Sequence, residues 1–316
     1  MILGGDLGGT KTLLALAEIH PDGPRIIREQ RYASQEYPNF DALLADFLAD
    51  APAIESACFG LAGPTDGHNA KLTYLPWQLS GEGLKSRFRL NSVSLANDFA
   101  AAANGLTLLG PEQLQTLQRG AAIAHAPRII LGAGTGLGVA GMVWEDGGYK
   151  VIPGEGGHLG FSPQTLEQGE LWRWLLAQSG RVTTEDIVSG PGLEKIYAFL
   201  GGRPEPAEEI GNTAINNSNL LAKRAVELWL SCFGSFAGDL ALHWLAHGGV
   251  YIAGGIAAKL IPHFGHETFI NAFSAKREHK HIAKNIPVQL VTEQRLGLLG
   301  ALALAARHGE LHALIN

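Results

Sequence analysis

Two stretches about half a chain apart repeat one local design: an apolar strand, a glycine-crowded turn with a threonine near its tip, and a second strand. The first is "MILGGDLGGTKTLLALAEI" (residues 1–19) and the second "IILGAGTGLGVAGMVW" (residues 129–144). A glycine loop after a strand commonly announces a nucleotide, and the residues beyond the loop decide which kind. A dinucleotide fingerprint needs G-x-G-x-x-G opening a helix. Here the glycines fall at Gly132, Gly134, Gly136 and Gly138, and Leu137 occupies the place of the third required glycine. The residues from Val139 to Trp144 include the β-branched Val139 and Val143 and the aromatic Trp144, which favours a strand over a helix. Both stretches therefore read as tight hairpins, and a pair of them predicts a fold of two related halves.

Between and beyond the hairpins, strands alternate with helices. "NFDALLADFLAD" (39–50) has helical spacing with Asn39 as its cap. "SACFGLAGP" (56–64) reads as a buried strand, and "SVSLANDFAAAANGL" (92–106) as a strand running into a helix with Asn97 and Asp98 at the junction. "IPGEGGHLGFSP" (152–163) is too rich in glycine and proline for regular structure and reads as an ordered binding loop. "TTEDIVSGPGLEKIYAFLGG" offers Thr184 as a cap and a short helical start, then a Ser-Gly-Pro-Gly break before a helix. Residues 218–249 form one long apolar-striped helix ended by paired glycines. "VYIAGGIAAKLI" gives strand, Gly254-Gly255 and helix, "AKREHKHIAK" (275–284) a solvated helix face, and "GLLGALALAARHG" a terminal helix. This alternation predicts an α/β architecture, and 316 residues suit two domains of roughly 150 residues each.

Charge and cysteine usage narrow the partners. A net charge of −6 supplies no basic surplus for nucleic-acid phosphates. No uninterrupted apolar stretch is expected to span a bilayer, and the N-terminus runs directly into a strand without the basic region of a signal peptide. The two cysteines, Cys58 and Cys232, lie in apolar settings and read as buried free thiols of a cytoplasmic protein. They are too few for a cysteine metal site.

Glycine turns let backbone N–H groups approach phosphate oxygens because no Cβ intervenes. Thr10 and Thr135 each add a hydroxyl donor. Asp6, at the first turn, would repel phosphate unless a hard cation lay between them, and Mg²⁺ accepts one or two carboxylates together with phosphate oxygens. Taken singly, each turn could be an ordinary tight hairpin; two of them with the further pair Gly254-Gly255 favour a polyphosphate.

The segments "GGDLGGTKTLLAL", "ILGAGTGLGVA" and "GGVYIAGGI", in that order, resemble the first phosphate, second phosphate and adenosine segments of the sugar kinase–hexokinase–actin superfamily. Within it the chain looks most like the bacterial glucokinases, through "LANDFAAAANGL", "PGEGGHLGFSP" and "IVSGPGL". The resemblance runs from Gly4 to the C-terminal helix. The repressor–ORF–kinase branch shares D-x-G-G-T-K, but its zinc cysteines have no counterpart after Gly156-Gly157-His158.

The resemblance implies a two-domain actin-like ATPase fold, ribonuclease H-like, with a deep interdomain cleft. Its small domain would comprise 1–106 plus 297–316 and its large domain 107–296, with hinges near Gly105 and Gly297. ATP would be held by Gly8, Gly9, Thr10, Gly134, Thr135, Gly136, Gly254 and Gly255, with Mg²⁺ on Asp6 through water. Asp98 is implied as the general base that accepts a hexose hydroxyl proton. An N-cap role for Asp98 at the following helix is the plainer alternative, and the two can coexist. Asn97, Asp98, Glu155, His158 and Glu185 match the family's sugar-contacting positions. Tyr74 stands where many relatives have asparagine, which bears on the choice of glucose over mannose, fructose or an N-acetylated amino sugar. A sugar sensor and a filament-forming ATPase are the other classes open to this superfamily; the first normally adds an N-terminal DNA-binding motif, for which the chain leaves no room. The resemblance further implies a homodimer, formed through the large domain.

Overall fold

The computed structural model describes residues 1–63, 65–73 and 75–315, with side chains described as far as Arg307. Tyr74, and with it the expectation about hexose choice, lies outside the described residues. The chain forms two compact units, one of Met1–Gly110 together with the chain from Gln294, the other of Pro111–Glu293.

The strands of the first unit are β1 (Ile2–Leu7), β2 (Lys11–His20), β3 (Gly23–Ala33), β4 (Ser56–Leu61), β5 (Asn69–Lys71), β6 (Gln78–Ser80) and β7 (Ser92–Asn97). Its helices are α1 (Phe40–Phe47), α2 (Gly81–Phe88), α3 (Asp98–Gly105) and the C-terminal helix Leu296–Ile315. Five strands form one sheet in the order β3-β2-β1-β4-β7, while β5 and β6 pair separately. The central strands β1 and β4 run parallel and are nearly wholly buried, as continuous apolar runs covered on both faces should be. Asn39 caps α1, its side-chain oxygen accepting from Ala42 N at 2.9 Å.

Glycines let α3 and the C-terminal helix cross at backbone contact. A Cβ on Gly300 would lie 1.7 Å from the Ala101 carbonyl oxygen, and one on Gly105 2.4 Å from that of Leu296. Gly105 therefore serves close packing inside the first unit. Ser56 Oγ donates to the Ala305 carbonyl at 2.6 Å, fixing the same helix to β4.

In the second unit the strands are β8 (Leu114–Gln118), β9 (Arg128–Ala133), β10 (Leu137–Glu145), β11 (Gly148–Gly154), β12 (Gly249–Ala253) and β13 (Val288–Val291). The helices are α4 (Leu166–Ser179), α5 (Gly190–Phe199), α6 (Ala207–Ile215), α7 (Leu220–Trp244), α8 (Gly255–Phe264), α9 (Glu267–Ser274) and α10 (Lys280–Asn285). The sheet order is β11-β10-β9-β12-β13-β8. Its first five strands repeat the order and pairing sense of the first sheet, with an antiparallel hairpin leading into parallel neighbours. The two related halves expected from the paired hairpins are thus present in the topology.

Several local expectations are corrected. The strand β11 runs on to Gly154, because pairing with β10 carries Pro153 and Gly154 along. The helix α7 ends at Trp244, with Leu245 in the left-handed region at φ 44°, before the glycine pair; Gly249 instead opens β12 at φ 122°. By length and composition α7 could cross a membrane, yet most of its apolar stretch is buried inside the unit, and Glu227 and Asp239 interrupt it. Its Gly234 and Gly238 meet α9 at backbone distance, hypothetical Cβ atoms lying 2.1 Å and 2.2 Å from the carbonyl oxygens of Phe269 and Phe273. The 275–284 segment is not uniformly solvated. Lys276 is largely buried, with Nζ 2.6 Å from Asp239 and 2.9 Å from the Ser235 carbonyl. Both cysteines are buried free thiols, and burial pushes Cys58 up to about 12.

Candidate active site

In the first unit the candidate residues gather at the C-terminal ends of parallel strands, the usual place for a site in an open α/β sheet. The β1–β2 hairpin closes with Gly8 N–H donating to Lys11 O at 3.0 Å. Ser34, just past β3, pins it: Ser34 Oγ donates to Gly8 O at 2.8 Å, its N–H donates to Thr10 O at 3.0 Å, and its hydroxyl meets buried Thr12 Oγ1 at 3.0 Å. Gly9 is half-buried and Thr10 exposed at the tip. Sequence reasoning missed Ser34 and Thr12, whose partnership across 22 residues leaves no local pattern.

Asp6, the penultimate residue of β1, is half-buried. Burial, and then the negative charge of Asp98, raise its carboxyl to about 6 against the opposing charge of Lys11. Gly297 in the first turn of the C-terminal helix makes room for it, since a Cβ there would lie 2.9 Å from Asp6 Oδ2. Asp98 is the first residue of α3 and accepts Phe99 N–H at 2.8 Å. The capping role belongs to Asn97, whose Oδ1 accepts from Phe99 N at 3.0 Å and Ala100 N at 3.2 Å. The N-cap alternative for Asp98 is thus corrected by one position: β7 delivers Asn97 in extended geometry, and Asp98 is already helical.

The second unit gathers the remaining candidates. The β9–β10 hairpin is closed by Gly134 N–H to Gly136 O at 2.8 Å, and Gly190 N–H donates to Gly134 O at 2.8 Å. At φ 91°, Gly254 packs so closely on the hairpin that a Cβ would lie 2.3 Å from Ala133 O. Gly254 caps α8, Gly255 is its first residue, and Ser189 caps α5 through Gly192 N–H at 2.9 Å. Two helix N-termini, each carrying partial positive charge, therefore start beside the exposed Thr135 turn. The α5 contribution was not anticipated. Its sequence signal, a serine followed by Gly-Pro-Gly, reads equally well as a break.

Glu155 and His158 lie on a single turn, with His158 Nε2 4.0 Å from Glu155 Oε2 and the Glu155 and His158 side chains 87% and 59% exposed respectively. Main-chain bonds fasten this turn to the segment carrying Glu185: Glu185 N to Gly157 O at 2.9 Å, and Thr184 N to Leu159 O at 2.8 Å. Thr184 is not a helix cap, because its hydroxyl donates backward to the Leu159 carbonyl at 3.2 Å. Glu185 Oε2 accepts Leu137 N–H at 2.8 Å. Its neighbour Asp186 is bound otherwise, to Lys195 at 2.7 Å and Thr183 at 2.8 Å; burial opposes its ionisation, but these partners hold it below the usual carboxylate range. Glu155, His158 and Glu185 thus belong to one hydrogen-bonded assembly with the second hairpin, while Asp6, Gly8, Gly9, Thr10, Asn97 and Asp98 belong to the first unit. A 490 Å³ cavity shares Gly156, Leu159 and Thr184 with this loop, but Val139, Phe236, Leu240 and Trp244 make its wall apolar, unsuited to a polyhydroxylated ligand.

Paired hairpin-and-parallel-strand sheets with carboxylates at the strand ends define the actin-like ATPase fold in its sugar-kinase form. A solved glucokinase from an Antarctic psychrotroph superposes with a TM-score of 0.88 at 28% identity, covering 97% of this chain and 98% of that one. The ROK hexokinase of Thermus thermophilus shares the fold, with a TM-score of 0.71 at 20% identity over 98% of this chain and 99% of its own. A curated glucokinase from Nostoc sp. is 38% identical over 97% of this chain and 99% of its own length. The glucokinase family model matches residues 3–308. The chain belongs to the glucokinase family.

Proposed function

We propose that this protein transfers the γ-phosphoryl group of ATP to a hydroxyl of glucose. The observation that carries the reading is the neighbourhood of Asp98 and Asp6, where a helix-start carboxylate lies near a desolvated one whose charge it opposes. Phosphoryl transfer needs one group to accept the hydroxyl proton; positioning and charge neutralisation do the rest. Asp98 fills the first role. A carboxylate accepts several hydrogen bonds, so the bond from Phe99 N–H does not exhaust it, and the N-terminus of α3 favours the ionised form. Asn97 spends its oxygen on the cap, so its amide N–H groups are the part that a sugar hydroxyl can accept. Glu155, His158 and Glu185 bind further hydroxyls, and a sugar lacking a partner group forfeits that hydrogen bond.

Thr10 and Thr135, with the backbone N–H groups around Gly8–Gly9 and Gly134–Thr135, bind the phosphates, aided by the α5 and α8 N-termini. Gly254-Gly255 receives the nucleoside side. Asp6 fits Mg²⁺: its carboxyl is desolvated and faces a second negative charge that Lys11 only partly offsets, and one carboxylate is enough for this ion when phosphates complete the shell. Bound there, Mg²⁺ would neutralise charge on the phosphate oxygens. Among the described residues no cluster of three or more His, Cys, Asp or Glu offers a resident metal cage. Cytoplasmic residence, supported by the two free thiols, and a homodimer complete the proposal. The net charge of −6 supports a role without nucleic acid.

The test is ADP release coupled to an indicator enzyme, with ATP and Mg²⁺, across glucose, mannose, fructose and N-acetylglucosamine. Glucose should give the highest kcat/KM. Equal turnover without any sugar would refute a hexose kinase, and a preference for another sugar would move the substrate.

A further inference from the structure

The glycines of the second hairpin tip are not equivalent. A Cβ at Gly134 would meet nothing within 4 Å, leaving room for a phosphate. A Cβ at Gly136 would lie 2.7 Å from Glu185 Oε2 and 3.3 Å from its Cδ, inside contact distance. Gly136 is not in the left-handed region either, so backbone conformation does not demand glycine there. What demands it is the carboxylate. The same Oε2 accepts Leu137 N–H at 2.8 Å, whereas Oε1 stands 3.8 Å from the hypothetical Cβ. The Glu185 backbone is held at both ends, its N–H by Gly157 O at 2.9 Å and its carbonyl by Ser189 Oγ at 2.7 Å. With the main chain fixed, the seat at 136–137 decides where the carboxylate points.

We infer that Gly136 and the Leu137 N–H form the seat of the Glu185 carboxylate, which makes Gly136 a hexose-positioning residue rather than a phosphate-approach glycine. The inference rests on the reading of Glu185 as a hexose ligand. One oxygen is anchored to the phosphate hairpin and the other is left for a sugar hydroxyl, so the hairpin that receives nucleotide also aims the group that recognises sugar. Any shift of the hairpin is then felt at the sugar, and by reciprocity sugar binding is felt at the hairpin.

Gly136→Ala tests this directly. The new methyl meets only the far end of a flexible side chain, so the fold should persist, with an unchanged circular dichroism spectrum. The glucose KM should rise about tenfold, the scale of one hydrogen bond to a charged group, with the ATP KM within about twofold. The Leu137 amide resonance should shift as its acceptor leaves. Glu185→Ala should raise the glucose KM at least as far, and the double variant should be no worse than Glu185→Ala alone, because the seat has no function without its occupant. Glu185→Gln, whose carbonyl oxygen can still accept Leu137 N–H, should recover part of the loss. An unchanged glucose KM with a raised ATP KM in Gly136→Ala would overturn the inference, as would multiplicative losses in the double variant. A wild-type protein inert toward every hexose would instead overturn the kinase reading itself.

Discussion

Asp98 raises the carboxyl of Asp6: the two acidic side chains stand near enough at the strand ends of the first unit that the charge of one adds to the burial of the other, bringing Asp6 to about 6. Acids crowded together are a cost to the fold and a resource for binding a cation. That tension gives the first prediction.

The Asp6 carboxyl ionises near 3.8 in an unfolded chain and near 6 in the folded one. Between those values the folded state holds the extra proton, so stability falls as pH rises through the window, and the loss is complete above it. The cost is on the order of 2–3 kcal/mol at neutral pH. Asp6→Asn should therefore unfold at higher denaturant concentration than wild type at pH 7.5, and the two should converge near pH 4. Activity should fall at least about 100-fold. Denaturant titrations at both pH values check the sign; a less stable variant at pH 7.5 would contradict it.

Because Asn97 caps α3, the neighbouring base can be altered without loosening the helix. Asp98→Asn should lower kcat by about 10²–10⁴-fold, the range for loss of a general base, with glucose affinity within a few-fold and the melting temperature at neutral pH no lower than wild type, because Asp6 loses a repulsive neighbour. Calorimetric binding beside steady-state rates separates the two effects. A variant retaining a tenth or more of wild-type kcat would mean that another group takes the proton.

Asn97→Ala should behave in the opposite way. Loss of the cap should cost about 1 kcal/mol of stability, and the lost amide donors should raise the glucose KM. Asn97→Asp keeps the capping oxygen, so it should restore the stability without restoring the KM.

How far the sequence speaks depends on where each residue's partner lies. The hairpins were legible because glycine and the β-branched residues after it act locally, and the strand–helix junction at Asn97-Asp98 was legible for the same reason. The identity of the cap was not, since it turns on whether β7 ends at 96 or 97. Thr184 looked like a cap because its own segment suits one, but its hydroxyl bonds Leu159, which lies 25 positions earlier. Lys276 looked solvated within a basic run, but Asp239 and the Ser235 carbonyl draw it in. The end of α7 at Trp244 likewise ignores the glycine pair downstream. Among the site residues, Glu185 was legible by resemblance, while its anchor at Leu137 N–H, 48 residues away, was not.

Ser34 offers the last prediction, because it is a hairpin clamp with no expected contact to either substrate. It bonds Gly8 O through its hydroxyl and Thr10 O through its N–H, and only the first bond depends on the side chain. Ser34→Ala should therefore loosen one side of the first hairpin while keeping the other, and it leaves the buried Thr12 hydroxyl without its partner. The stability cost should be about 1–3 kcal/mol, the penalty for an unsatisfied buried polar group. The ATP KM should rise several-fold, because the N–H groups at the tip lose their fixed aim, while the glucose KM stays within about twofold. Ser34→Thr retains the hydroxyl and should recover ATP affinity if the wider side chain fits. An ATP KM unchanged in Ser34→Ala, alongside the expected stability loss, would show that the hairpin holds its shape through backbone bonds alone.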